Sequence, residues 1–188
     1  MQEEQPLLDS TSQNNDPGVM KIAMTYGGML GMAAVIVNLL FYMAGMTRST
    51  ITAVAGYAVI LGFIIYGCIQ YRDRYLGGHI SYGKALGTGV MIALFSSLIV
   101  ALYTYVLMYQ IDPGLLEQSR AEAQQKMLES NPNLTDAQLE QGMKIANIFM
   151  SPGVIMVMVV IGHVLIGFIF SLITSIFIKK EETGIPSA

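Results

Sequence analysis

The sequence predicts an all-α polytopic membrane protein, with four transmembrane helices and an extracytoplasmic helical hairpin between the third and fourth. Three observations predict it. Residues 22–47, 51–70, 85–111 and 152–178 each run without Asp, Glu, Lys or Arg. A bilayer core about 30 Å thick is crossed by about 20 apolar residues in helical form. The 188 residues are 53% hydrophobic and 12% charged, and soluble domains carry about a quarter charged residues. Each run is also apolar all round, which excludes a surface helix with one buried stripe. Lipid offers backbone amides no partner, so runs of this kind cross as helices. A transmembrane barrel would need alternating segments about ten residues long, and these runs do not alternate.

Residues 1–19 are polar with two prolines and read as a disordered cytoplasmic tail. The 22–47 run is too long for a signal h-region of about 7 to 15 residues, so it is expected to remain as a span. The membrane domain is placed at 20–180, and 181–188 form a second flexible cytoplasmic tail. Lys21, Arg72, Arg74, Lys84, Lys179 and Lys180 fall on one side of the four spans. Arg48, Arg120, Lys126 and Lys144 fall on the other, most of them in a net acidic loop. Basic residues collect on the cytoplasmic side, which puts both termini in the cytoplasm and 112–151 outside. Tyr66, Tyr71, Tyr75 and Tyr82 mark one headgroup belt, and Tyr42, Tyr103, Tyr105 and Tyr109 the other.

The outer loop is written as two helices. Asp112 precedes Pro113 as a cap before a first-turn proline. The first helix is expected to run to about Glu129 and to break at Ser130-Asn131-Pro132-Asn133. Thr135 and Gln138 form a capping box, after which Leu139, Met143, Ala146 and Met150 share one face. Ser151 and Pro152 start the fourth span.

Chemistry-bearing groups are few. The sequence contains no P-loop, G-x-G-x-x-G, C-x-x-C or H-E-x-x-H pattern. Cys68 stands alone, and His79 and His163 lie at different depths, so no cofactor or metal is expected. A net charge of −3 gives nucleic acid nothing to hold. The intramembrane polar candidates are His163, Asn38 and Lys84. An ionisable group at membrane depth suggests function by default, and its plain alternative is an imidazole hydrogen-bonded between helices. Asn38 is the natural partner for His163, whereas Lys84 is expected to snorkel to headgroups. Small residues at four-residue spacing, Ala23, Gly27 and Gly31 on the first span and Ala85, Gly89, Ala93, Ser97 and Ala101 on the third, predict close helix packing. The third helix is then a central post contacting the first. Tyr26-Gly27-Gly28-Met29-Leu30-Gly31 echoes Tyr82-Gly83-Lys84-Ala85-Leu86-Gly87, as two parallel repeats would.

Gly78-His79-Ile80-Ser81-Tyr82-Gly83-Lys84-Ala85, Ile111-Asp112-Pro113 with Leu116-Glu117, and Phe149-Met150-Ser151-Pro152-Gly153 occur in this order. This arrangement resembles domain-of-unknown-function family 4199, small bacterial inner-membrane proteins widespread in Bacteroidota. The resemblance covers roughly Lys21 to Lys180. It implies four spans and a helical outer loop, and it carries no catalytic residue, substrate or cofactor. Apart from the lipid bilayer, the expected partner is a second copy or another membrane protein. The function expected is non-enzymatic packing of that kind, and the alternative is a small transporter or channel component gated by the outer hairpin.

Overall fold

Each helix begins and ends where the local sequence directs. The computed structural model describes residues 17–47 and 49–180. Most of the first tail, all of the second, and Arg48 lie outside those residues. Helix α1 spans Pro17–Met43, so residues 17–19, read as tail, are helical, and the helix stops short of Thr47. It stops because Gly45 takes φ +69°. Gly45 N then donates to Tyr42 O at 3.0 Å and Met46 N to Phe41 O at 2.9 Å, the paired bonds of a Schellman cap. Ser49 Oγ accepts from Ile51 N and starts α2, Thr50–Tyr75. Gly77 and Gly78, both at positive φ, turn the chain, and Ser81 caps α3, Tyr82–Val106. A π-helical segment, Leu107–Ile111, continues α3 to Asp112. The second and third helices extend beyond their apolar runs because backbone pairing continues into the polar boundary residues.

Two helices occupy the connection after α3, α4 (Gly114–Ser130) and α5 (Asp136–Phe149). Asp112 Oδ1 accepts from Gly114 N at 3.0 Å, the bond expected of a cap, although α4 begins at Gly114, one residue after the proline expected to open it. Thr135 and Gln138 close the capping box in both directions. Leu139, Gly142, Met143 and Ala146 of α5 and Met150 just after it are half-buried, whereas Ile145, Ile148 and Phe149 are exposed. Helix α6, Pro152–Ile178, begins with Ser151 in extended backbone, although the Ser151 side chain makes no cap bond. Tyr109 Oη donates to Met150 O, which ties the π segment to the end of α5.

α1, α2, α3 and α6 are 25 to 27 residues long, or about 40 Å at 1.5 Å per residue. That exceeds the bilayer core and leaves room for tilt. Large apolar side chains face outward along them, among them Met32, Leu40, Leu102, Val157 and Leu165, all more than half exposed. Exposure of this kind is a liability in water and ordinary in lipid. The chain is therefore an integral membrane protein with four spanning helices.

α3 stands between α1 and α6. It contacts α1, as expected of a central post, and its own small stripe faces α6. A Cβ on Gly89 would sit 2.9 Å from Ser171 Cβ, and one on Gly167 would collide with Ala93 Cβ. Ala85, Ala93, Ser97 and Ala101 are buried along the same helix. α1 packs on another side of α3. There, Cβ atoms on Gly27 and Gly31 would meet Phe95 Cβ at 2.7 Å and Ile99 Cβ at 2.8 Å. Two faces of α3 thus take two partners, one small-against-small and one large-into-small. Ala23 is fully buried on α1. α2 lies over the other three, with Gly67 against Tyr26 and Tyr66 edge-to-face on Tyr26 at 5.5 Å.

The two echoed segments do not occupy equivalent places. Gly27 and Gly31 are pressed against α3, whereas Gly83 and Gly87 have open space where a Cβ would stand. Tyr71, expected in a headgroup belt, is fully buried.

α1 and α3 run parallel, and α2 and α6 run opposite to them. The described chain therefore starts and finishes at one end of the bundle. Ile80 and Lys180 exchange both backbone hydrogen bonds at 3.0 Å, which clamps the end of α6 to the entry of α3. Lys21, Arg72, Arg74, Lys84, Lys179 and Lys180 belong to this basic end. The α1–α2 turn, α4 and α5 belong to the other.

Candidate functional site

A polar side chain inside a bundle must find a partner within its reach or face a cavity. His163 does both. It lies eleven residues into α6, about 16 Å along the helix axis. It is four residues from Gly167, eight from Ser171 and twelve from Ser175, so all four share the face turned toward α3. Where α6 crosses α3 this closely, His163 Nε2 reaches Ser96 Oγ at 2.8 Å. Ser96 is fully buried, and its Oγ also lies 2.9 Å from Ala93 O. A carbonyl can only accept, and the hydroxyl has one proton. One arrangement satisfies both contacts: Ser96 donates to Ala93 O and accepts from the Nε2–H of His163. That tautomer leaves Nδ1 as an acceptor, with no partner among the described residues.

The open side of His163 belongs to a cleft of about 410 Å³. α1 contributes Asn38, the first half of α2 contributes Thr52 and Tyr57, and α6 contributes Val159 and Ile166. The cleft exists because α2 and α6 diverge away from the basic end. The buried residues of α6 are Gly167, Ser171, Thr174, Ser175 and Ile178, all in its second half. Thr52 Oγ1 donates to Met46 O at 2.7 Å and braces the α1–α2 turn at the mouth. Asn38 Nδ2 donates to Ala34 O at 2.9 Å, in the preceding turn of its own helix. Asn38 and His163 therefore line one cleft without bonding to each other, and Ser96 takes the place expected of Asn38. Among the described residues no charged side chain lines the cleft.

Below Ser96 the seam between α3 and α6 closes. The Ala93–Gly167 and Gly89–Ser171 contacts leave no gap between the helices. Ser171 and Ser175 are buried there, and their hydroxyls have no hydrogen-bond partner. The cleft thus reaches mid-span from one end only. Lys84 is twelve residues from Ser96 on α3, about 18 Å away, and belongs to the basic end rather than to this site. Among the described residues no three potential metal ligands gather.

Sequence reading found His163 and Asn38 but missed Ser96, Thr52 and Tyr57. For Ser96 no signal existed, since it sits beside the small-residue stripe rather than on it. Gly167, Ser171 and Ser175 were findable, because they repeat the same four-residue spacing from His163.

A family described as "Protein of unknown function (DUF4199)" matches residues 25–180. The chain belongs to that family. No curated protein and no solved structure matches the chain. The match takes in α1 from residue 25 onward, the other three membrane helices and both helices of the 112–151 connection, so family membership covers the cleft as well as most of the bundle.

Proposed function

We propose that this protein acts by binding, without catalysis, and that its cleft receives a helix of a second copy or of another membrane protein. The observation that carries the reading is a polar cleft that reaches membrane depth from the end opposite the basic one, with no charged side chain among its described lining residues. Hydrogen-bonding groups at membrane depth gain from a partner that supplies matching groups. Asn38, Tyr57 and His163 Nδ1 offer such groups. Ala53 and Gly56 beside them present little side-chain bulk, and a Cβ on Gly56 would meet nothing within 4 Å. A helix can approach closely there. General acid–base or nucleophilic catalysis needs a second group positioned against His163. Its one bonded neighbour is the hydroxyl of Ser96, already engaged with a carbonyl.

We place the basic end in the cytoplasm, following the bias of lysine and arginine. The cleft then opens outward, and α4 and α5 form an extracytoplasmic hairpin near its rim. The host is a bacterial cytoplasmic membrane. The transporter alternative would use the same cleft, with the hairpin as its gate. The closed α3–α6 seam favours binding over transport, because a transported species must leave at the other end.

A photoreactive residue at Ala53, compared with one at Val157 on the outward face of α6, tests this in native membranes. The binding reading expects a discrete protein adduct from position 53 and lipid adducts from position 157. Lipid adducts alone from both positions overturn it. In the transporter reading, His163→Ala abolishes flux of a substrate in reconstituted vesicles.

A further inference from the structure

A second hollow, of about 440 Å³, lies at the basic end on the face of α3 left open between α1 and α6. Its floor is the surface of α3 from Gly83 to Met91, and its walls include Val19 of α1 and Phe168 of α6. Gly83 and Gly87 have nothing within 4 Å of an added Cβ, so the floor is bare helix backbone along its first turns. Eight residues of helix give the groove a length of about 12 Å. Its lining is mainly apolar, and its one charged residue is Lys84, half-buried near the mouth. Lys180, bridged to Ile80 through its backbone, lies near Asp73 of α2 rather than in the groove, so Lys84 carries the charge there. Among the described residues at this end, Asp73 is the sole carboxylate, and it is paired with Arg72 at 2.8 Å.

We propose that this groove holds one anionic phospholipid of the leaflet at the basic end. Its phosphate lies against Lys84, and one acyl chain runs along the Gly83–Gly87–Met91 face. The chemistry is complementary at both ends. A cation at headgroup depth attracts an anionic headgroup, and the groove below it supplies apolar contact for a chain. A second copy of this protein fits less well. Its one described carboxylate at that end, Asp73, is already paired with Arg72, so it would cover Lys84 without bringing a free counter-charge. This site uses a different face from the cleft and stands independently of the function proposed above.

Native mass spectrometry of the full chain in detergent, titrated with dioleoyl phosphatidylglycerol or dioleoyl phosphatidylcholine, tests it. The wild type is expected to retain phosphatidylglycerol preferentially. Lys84→Gln, which keeps the stem and loses the charge, is expected to retain it about fivefold less. Gly87→Leu, which fills the open floor, is expected to lose both lipids. Lys144→Gln on α5 is expected to behave as wild type. Equal phosphatidylglycerol retention by wild type, Lys84→Gln and Gly87→Leu overturns the proposal. So does loss of a dimer in Gly87→Leu with lipid retention unchanged, which would make a second copy the occupant.

Discussion

His163 lies within 2.8 Å of Ser96 because glycine and alanine bring α6 onto α3 one turn below it. The hydrogen bond is a consequence of packing, and its strength is modest. Polar pairs of this type in membrane proteins contribute about 0.6 kcal/mol, rarely more than about 1.7. Ser96→Ala is therefore expected to lower unfolding stability in detergent by about 1 kcal/mol and to leave the fold intact. A sharper readout is the imidazole tautomer. Nitrogen-15 NMR of labelled His163 is expected to show Nε2 protonated and Nδ1 bare in the wild type. The opposite tautomer would mean that Ser96 donates to the ring rather than to Ala93. At this scale the sequence showed which polar residues sit at membrane depth, since hydropathy exposes them. It could not show their partners. Asn38 and Ser96 are both plausible by depth, and only the rotation of each helix about its axis decides between them.

The helices are legible to differing degrees for the same reason. Length and the absence of charge specified all four spans, and capping chemistry placed Thr135 and Gln138 within a residue. Thr135→Ala is expected to cost about 1 kcal/mol locally, read as faster amide exchange in α5 with the spanning helices unchanged. Packing partners were harder to read. A small-residue stripe says that a helix is approached closely and does not say by which neighbour, so the α1–α3 contact was legible while the seating of α6 on the α3 stripe was not. The contrast between tight and open glycines makes this testable. Gly89→Ala and Gly167→Ala, which place a methyl into the α3–α6 seam, are each expected to destabilise by about 1–3 kcal/mol. Gly162→Ala, on the same helix but facing open space, is expected to be neutral or stabilising by up to about 1 kcal/mol. Thermal unfolding in one detergent compares the three, and similar losses from all of them would contradict the assigned seam.

Over the whole molecule, four parallel and antiparallel rods bring the start and finish of the described chain to the same, basic end. The opposite end holds the mouth of the cleft and the two connecting helices. Lysine and arginine carry the proposed orientation, and Asn38, Thr52, Tyr57 and His163 give the cleft its polar lining. The central claim is that the helices cross a bilayer in this order, with the cleft open to the outside alone. Single cysteines at Thr47, Gly56, Lys144 and Lys179, introduced on a Cys68→Ser background, test it in intact cells with thiol reagents. A bulky impermeant maleimide is expected to label positions 47 and 144 from outside and position 179 only after permeabilisation. A small charged thiosulfonate is expected to reach position 56 from outside. Labelling of positions 47 and 179 from the same face, or access to position 56 from the inner face alone, would contradict the account.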